Sequence, residues 1–236
     1  MPRFLSLLVS IFLFAGCAAG RSSLGPQDEI PYPPKEKPKA DEIRHVPTGL
    51  PLSIEGMLEI LSGARLICIG ETHDNLHAHR VQLIVIRELA RRFPGRIAIG
   101  MEMFREPQQE ALDRWTAGDL SEIGFLKASK WYDNWGSDFG YYRDILNFAR
   151  ENRIDIVALN PSRELQDAVS RSGLDNLAEN LRAQLPEMGP PDPWQREAMK
   201  GIFGGHLPTE GMFDSFLRVQ SLWEETMASR IVDYLR

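Results

Sequence analysis

Residues 66–79 read LICIGETHDNLHAH, an apolar run that stops at Gly70 and gives way to a segment crowded with acceptors and imidazoles. A continuous apolar run of this length is typical of a strand buried on both faces, as in parallel sheets. A helical pattern follows the polar segment. We therefore predict a first strand over Arg65–Gly70, a turn, and an amphipathic helix over Leu76–Arg92.

The alternation of strand and helix recurs along the chain. Apolar runs predict a second strand over Arg96–Met103 and a third over Ile154–Leu159. Strands that alternate with helices through short connections form mostly parallel sheets. The predicted fold class is α/β, a mostly parallel sheet covered by helices with an added helical C-terminal part. Further helices are predicted over Ser53–Leu61, Gln108–Trp115, Leu120–Lys127, Arg143–Arg150, Arg163–Ser170, Leu174–Gln184, Pro193–Phe203 and Met212–Leu235.

The amino terminus differs in composition from the remainder of the chain. Residues 1–17 combine a positive start, an apolar stretch and the sequence LFAGC, which is typical of a bacterial lipoprotein signal peptide with a lipobox and lipidation at Cys17. An ordinary secretory signal peptide is the alternative. The apolar stretch, about eleven residues long, is too short for a membrane-spanning helix. Residues 18–50 form a Pro-rich spacer, and residues 51–236 are the expected folded domain.

Composition limits the partners and the compartment. The 236 residues are 43% hydrophobic and 25% charged, which is typical of a globular domain with its own core. A net charge of −6 argues against nucleic acid as a partner. We expect a protein of the bacterial outer membrane, held by a lipid anchor and facing the periplasm. Cys68 lies inside the apolar run and is expected to be a small core residue.

Polar side chains end each predicted strand. Glu71 and His73 follow the first strand, Glu102 lies at the end of the second, and Asn160 follows the third. The carboxyl ends of neighbouring parallel strands meet at one edge of the sheet, where open α/β sheets bind their ligands. The sequence therefore predicts that these side chains converge on one site.

Histidines add to this group. His73 and His77 are four residues apart and share a face of a helix that begins early, whereas His79 is expected to point elsewhere. With Glu71 and Glu102, the first two histidines could bind a divalent metal ion or serve as acid and base. The alternative is structural, with the glutamates bonded to helix amino termini and His73 satisfying a turn. The motif matches neither His-Glu-x-x-His nor a glycine-rich phosphate loop.

A second candidate site is the aromatic segment between residues 131 and 142. Trp131 and Trp135 are four residues apart, and Tyr141 and Tyr142 precede Arg143. Packing of the two tryptophans against the sheet is one interpretation. The other is a flat apolar surface for a large planar ligand with phenols at its margin. Tyrosine is one of the axial ligands of haem iron, and arginine pairs with carboxylates such as haem propionates.

Several patches of the sequence recur, in this order, in one known family. They are GETHD at 70–74 with His77 and Gln82, GMEM at 100–103, Gln108 and Gln109, the segment from Trp131 to Tyr142, VALNPSR at 157–163, and His206, Gln220, Trp223 and Met227. Over about residues 48–236 the chain resembles the ChaN family of haem-binding, iron-regulated lipoproteins. That family lies within the wider Tiki, TraB and erythromycin-esterase-like superfamily.

The resemblance implies a binding protein rather than an enzyme. It implies haem as the cofactor, tyrosine ligation of the iron, and a homodimer that encloses two stacked haems. It also implies a role in haem or iron acquisition, with an outer-membrane haem receptor or transporter as a partner. Carried over residue by residue, it makes Tyr142 the expected iron ligand, with Tyr141 as its competitor. His206 is then a second axial ligand or a neighbour of the haem.

The sequence departs from the family pattern in two places, and other functions stay open. The family's Tyr-x-Pro reads YRD at residues 142–144, and the strand that usually follows the helix around residues 220–227 has no counterpart before Arg236, so we expect a member that is short at its C-terminus. One alternative function is a hydrolase of the erythromycin-esterase or Tiki type, with or without a metal, that uses Glu71, His73 and Glu102. Another is a scaffold whose aromatic surface binds a protein.

Overall fold

The computed structural model describes residue 39 and the ranges 42–189, 193–202 and 209–236. The predicted signal peptide with Cys17, most of the spacer, and His206 lie outside the described residues. Four strands and ten α-helices occur in the described part of the chain, together with short 3-10 turns at Glu106–Gln108 and Phe139–Tyr141. The elements are β1 (Ile43–His45), β2 (Leu50–Leu52), α1 (Ile54–Ser62), α2 (Leu76–Arg92), β3 (Ala98–Arg105), α3 (Gln109–Ala117), α4 (Glu122–Ala128), α5 (Trp131–Asn134), α6 (Arg143–Asn152), β4 (Asp155–Asn160), α7 (Arg163–Ser172), α8 (Glu179–Arg182), α9 (Pro193–Ile202) and α10 (Glu210–Leu235).

The described residues group into two compact units. One unit contains those within Pro34–Arg163 and Thr226–Arg236, and the other contains those within Glu164–Glu225. The first unit holds every strand of the described residues and the site discussed below. The fold class predicted from the sequence, α/β with a parallel sheet and many helices, is confirmed.

The parallel sheet of the first unit consists of β3 and β4. Its register runs from Ala98 opposite Asp155 to Met101 opposite Ala158, and it then shifts so that Arg105 lies opposite Asn160. Between Met101 and Arg105, where the register shifts, the side-chain nitrogen of Asn160 donates a hydrogen bond to the backbone carbonyl of Glu102. The second and third predicted strands are therefore confirmed, with ends that differ by one or two residues.

The first predicted strand is wrong. Residues 65–70 form no strand, and no backbone hydrogen bond links them to the other described residues. Leu66 is 53% exposed and Cys68 is also exposed, so the expectation of a core cysteine is wrong as well. The physical reason is that an apolar run becomes a strand only when a neighbouring strand accepts its backbone groups. Within the described residues, no strand is hydrogen-bonded to this segment.

Helix α2 forms where the sequence predicts it. The Asn75 side chain caps it by accepting from the backbone nitrogens of His77 (2.9 Å) and Ala78 (3.3 Å). The buried face consists of His79, Leu83 and Val85, while Val81 and Ile84 are exposed. Helix α1 likewise begins as predicted, since the Ser53 hydroxyl accepts from the nitrogen of Gly56 at 3.1 Å.

The core of the first unit is aromatic. Large side chains without solvent exposure pack between the sheet and helices α3 to α6, and they include Phe104, Trp115, Phe125, Trp131 and Tyr142. Burial of such side chains supplies the main free energy of folding.

The second unit is helical. Its core contains Leu165, Val169, Leu177, Leu181 and Leu222. The helix predicted over Leu174–Gln184 is wrong in extent, because only Glu179–Arg182 is helical. Within the described part of the chain, no helix has both the length and the apolar character needed to cross a membrane.

Candidate functional site

The Glu71 carboxylate is the centre of the site. One of its oxygens, Oε1, accepts from the Tyr142 hydroxyl at 2.5 Å and lies 2.9 Å from Nδ1 of His73. The other, Oε2, accepts from Nε2 of Gln82 at 2.7 Å and lies 3.3 Å from Nδ1 of His79. The Glu71 side chain is only 5% exposed. Both oxygens are therefore held in fixed positions by side chains from α2 and from the turn before α6.

These contacts decide the charge of Glu71. Burial alone raises the pKa of a carboxyl group, but hydrogen bonds from His73, Tyr142 and Gln82 outweigh burial and lower the pKa of Glu71 below its ordinary value. Glu71 is therefore an anion at neutral pH.

His73 lies at the open side of the site. Its hydrogen bond to Glu71 raises its pKa despite partial burial, and the nearby Glu102 carboxylate, 3.8 Å from Nδ1, adds to the rise. The ring packs edge-on against Trp135, with centroids 4.8 Å apart. The His73 side chain is 50% exposed, so the imidazole is fixed on one side and reachable from solvent on the other.

Glu102 completes the group. Burial raises the pKa of its carboxyl group and outweighs the charge of His73, which lowers it, while the negative charge of Glu71 adds a smaller rise. Its side chain is 39% exposed. Glu71 and Glu102 are thus two carboxyl groups whose pKa values shift in opposite directions, an arrangement that can take up and release a proton.

The structure brings together three of the residues predicted for metal binding. One ligand atom each from Glu71, His73 and Glu102 lies within 4.8 Å of the others. His77 is exposed at the start of α2 and takes no part in this group. The side chain of Asn160 donates a hydrogen bond to the backbone carbonyl of Glu102 and not to the Glu102 carboxylate.

His79 is the residue that the sequence reasoning missed. Instead of pointing elsewhere, its ring is 4% exposed, and its Nε2 lies 3.0 Å from the carbonyl oxygen of His73. Its Nδ1 lies between Oε2 of Glu71 and the side-chain oxygen of Gln82. His79 and Gln82 are three residues apart on α2 and therefore share a face of the helix, and this spacing could have predicted that the two side chains lie together.

The aromatic segment divides between core and surface. Trp131 is fully buried, with rings of Phe104 and Phe139 at 5.4 and 5.5 Å, so it packs in the core as one interpretation of the sequence predicted. Trp135 is half-buried beside His73. Arg143 is exposed and paired with Glu122 at 3.1 Å.

The two candidate tyrosine ligands differ in their surroundings. Tyr142 has no exposed surface, and its burial and its hydrogen bond to Glu71 raise its pKa above the usual range. Tyr141 is half-buried, with its ring 5.7 Å from that of His79, and its hydroxyl bonds to no described residue. Tyr142 is thus held as a neutral phenol, whereas the oxygen of Tyr141 is not engaged within the described part of the chain.

Stability should depend on pH through the pair Glu71 and His73. Because folding lowers the pKa of Glu71, its contribution is present above the ordinary value of 4.5 and is lost as pH falls through the lowered pKa. Because folding raises the pKa of His73, its contribution is present below 6.5 and is lost as pH rises through the raised pKa.

We expect the urea midpoint of the wild type to decrease as the pH is lowered into the acid range, and also to decrease as the pH is raised above neutrality. The Glu71→Gln variant should show a flatter profile on both sides, because it cannot form the ion pair. Glu102→Gln is the control, because the pKa of Glu102 is raised and not lowered by folding. Ionisation of Glu102 therefore lowers stability as the pH rises above the ordinary carboxyl range, which is the opposite of the effect of Glu71. Parallel acid slopes in wild type and Glu71→Gln would contradict this assignment.

Comparison with known proteins places the chain in a family. Residues 57–236 match the family described as "Haem-binding uptake, Tiki superfamily, ChaN". The fold is similar to that of ChaN of Campylobacter jejuni, a protein described for cofacial haem binding, with 17% identity over 82% of this chain and 74% of that chain and a TM-score of 0.62. No curated protein matches the sequence at a significant level. The matched family model covers most of the chain, and the protein therefore belongs to the ChaN family of the Tiki superfamily.

Proposed function

We propose that this protein is a membrane-tethered haem-binding lipoprotein that takes part in haem or iron acquisition. The match of residues 57–236 to a haem-binding family carries the proposal. A hydrolase that uses Glu71, His73 and Glu102 ranks second, because neither the family nor the similar solved structure is described as hydrolytic.

The tyrosines next to the Glu71 site are the side chains that fit haem iron. When bound, haem supplies an iron atom that accepts a phenolate oxygen as an axial ligand. The Tyr142 hydroxyl is committed to Glu71 and buried, so ligation through it would break that hydrogen bond. Tyr141 fits better, because its hydroxyl has no partner among the described residues and its ring is half-buried. We therefore assign the iron to Tyr141.

The location follows from the sequence of the amino terminus. A lipid on Cys17 would hold the chain at the outer membrane, and the part of the predicted spacer that precedes β1 would separate the domain from the bilayer surface. The domain would then face the periplasm, where an outer-membrane haem receptor or transporter would be its partner.

A homodimer would bring two haems together between subunits. Exposed apolar side chains on α2 and just before it support an interface there, since their burial would be favourable. These are Leu66, Leu76, Val81 and Ile84.

Haemin titration of the full-length chain in mild detergent tests the assignment. We expect a saturable change of the Soret band for the wild type, and a loss of haem affinity of roughly tenfold or more in Tyr141→Phe, because the iron loses its phenolate ligand. Tyr142→Phe should bind haemin with nearly unchanged affinity. Tyr132→Phe is the matched control, since this neighbouring tyrosine is exposed.

The possible results separate the parts of the proposal. A selective loss in Tyr142→Phe would move the ligand to that residue and overturn the assignment to Tyr141. The absence of a saturable change in the wild type would overturn haem binding itself. Sizing in parallel tests the dimer, which requires a shift to twice the mass on addition of haemin.

A further inference from the structure

We propose that the tip of the hairpin formed by β1 and β2 docks on the surface of a phospholipid bilayer. The hairpin tip consists of the exposed side chains of Val46, Pro47, Leu50 and Pro51. The proposal rests on the lipid tether proposed above for Cys17. It goes beyond that tether because it names the face of the domain that contacts the membrane.

The hairpin tip is apolar and exposed. The Val46 side chain is 87% exposed and that of Leu50 is 62% exposed, and both prolines are exposed as well. At the opposite end of the hairpin, Ile43 pairs with Leu52, and these two residues are only partly exposed. Apolar side chains that are exposed together mark a site of interaction with a protein or a membrane.

The hairpin tip carries no charge of its own. Residues 46–54 read VPTGLPLSI and contain no Asp, Glu, Lys or Arg. The basic residue closest before them in the sequence, Arg44, is paired with Glu42 at 2.5 Å. A negatively charged lipid surface would therefore not repel the tip, and burial of apolar surface would drive the contact.

The backbone of the hairpin tip suits an apolar environment. The backbone nitrogens of Thr48 and Gly49 donate to the carbonyl oxygen of His45 at 3.2 and 2.8 Å. The nitrogen of Leu50 donates to the Thr48 hydroxyl at 3.4 Å, and the two prolines have no N–H group. From residue 47 to residue 51, every backbone N–H group thus has a partner. Because an unpaired N–H group is costly in lipid, this segment can enter the membrane interface without that penalty.

The turn holds the hairpin tip in one conformation. Gly49 has a left-handed backbone conformation, with φ at +69°, which glycine adopts without steric strain. The Thr48 hydroxyl also lies 2.8 Å from Nδ1 of His45. A preformed tip loses little conformational entropy when it docks.

The same features favour a bilayer over a protein partner. One common way to bind a hairpin is to add a strand to its edge, and this requires free backbone N–H groups. Pro51 lies within β2, opposite Arg44, and cannot donate to an added strand. A lipid surface needs no donor from the tip.

The position of the hairpin in the chain also favours a membrane. Residues 18–42 lie between the proposed lipid on Cys17 and β1, so the hairpin is the described element nearest to the tether along the chain. A chain of this length spans at most about 80–90 Å, which leaves the orientation of the domain open. The tether would keep the tip at a high local concentration near the bilayer, so that a weak apolar contact suffices to orient the domain.

The test is fluorescence quenching of the full-length chain, carrying its own lipid, in vesicles of phosphatidylethanolamine and phosphatidylglycerol. A fluorophore is attached through Val46→Cys in a Cys68→Ser background, because Cys68 is exposed. We expect a nitroxide-labelled lipid to quench this fluorophore and the bilayer to protect it from iodide in the water. The fluorophore on Ile123→Cys is the matched control, since Ile123 is an aliphatic residue of α4 that is 67% exposed. It should be quenched by iodide and not by the lipid.

A second change tests the contribution of the apolar side chains. Leu50→Asp, made in the chain labelled at position 46, should reduce lipid quenching about threefold or more, because a carboxylate opposes entry into lipid. Ile123→Asp is the control for this change and should leave the quenching unaltered. Far-ultraviolet circular dichroism establishes that the variants are folded.

The possible results separate the docking from the tether. If the chain stays on the vesicles but lipid does not quench position 46, the docking is overturned and the tether stands. Protection from iodide without lipid quenching also overturns the docking and indicates a protein contact instead, and equal lipid quenching at positions 46 and 123 overturns it too. A chain that does not sediment with the vesicles would overturn the tether and, with it, the docking that rests on it.

Discussion

Replacing Trp131 with alanine should lower the free energy of unfolding by about 3–5 kcal/mol. The indole is fully buried, and its Nε1 donates to the carbonyl oxygen of Ser137 at 2.7 Å. Its ring touches those of Phe104, Phe139 and Tyr142, with centroids 5.4 to 5.5 Å away. Removing it leaves a cavity and an unpaired carbonyl group. Urea unfolding followed by circular dichroism measures the effect.

Tyr132→Ala is the control for this experiment. The side chain is adjacent in sequence but 58% exposed, so its removal should change stability by no more than about 0.5 kcal/mol. A loss below about 1 kcal/mol for Trp131→Ala would contradict the burial of the indole. Trp131 would then have to be reconsidered as a surface for haem.

The second large effect is expected for Glu71→Ala, at about 2–4 kcal/mol of stability. The Tyr142 hydroxyl and the Gln82 amide lose their acceptor, and the buried ring of His79 loses its nearest carboxylate. An unsatisfied buried polar group costs far more than an exposed one. Urea midpoints of the variant measure this loss directly.

A double-mutant cycle isolates the contact between Glu71 and Tyr142. Tyr142→Phe removes the buried hydroxyl, so the Glu71→Ala change should cost less in that background, with a coupling of about 1–3 kcal/mol. Additive effects would show that the two side chains do not interact. Glu59→Ala, a change at an exposed ion pair of α1, provides the control and should cost less than about 1 kcal/mol.

Local signals explain what could be predicted from the sequence. The cap at Ser53 and the helix over Leu76–Arg92 depend on neighbours in the chain, and both form. The strands around Gly100 and Val157 form as well, because each finds the other as its partner. Glu71, His73 and Glu102 also converge as expected.

Long-range contacts explain what could not be predicted. Residues 65–70 have the composition of a strand, but strand formation depends on a partner that the apolar pattern does not identify. The position of His79 depends on how α2 is rotated about its axis against the site, which the periodicity of the helix alone does not determine. Which of Tyr141 and Tyr142 is buried also depends on tertiary packing, because the sequence alone does not distinguish two adjacent tyrosines.

The gap in the ladder between β3 and β4 makes the support of one residue of the site separable from the pairing of the strands. Where the register shifts, the side-chain amide of Asn160 donates to the backbone carbonyl of Glu102. A substitution at position 160 would therefore change what supports the backbone at Glu102, while the paired residues from Ala98 to Met101 would still join the two strands.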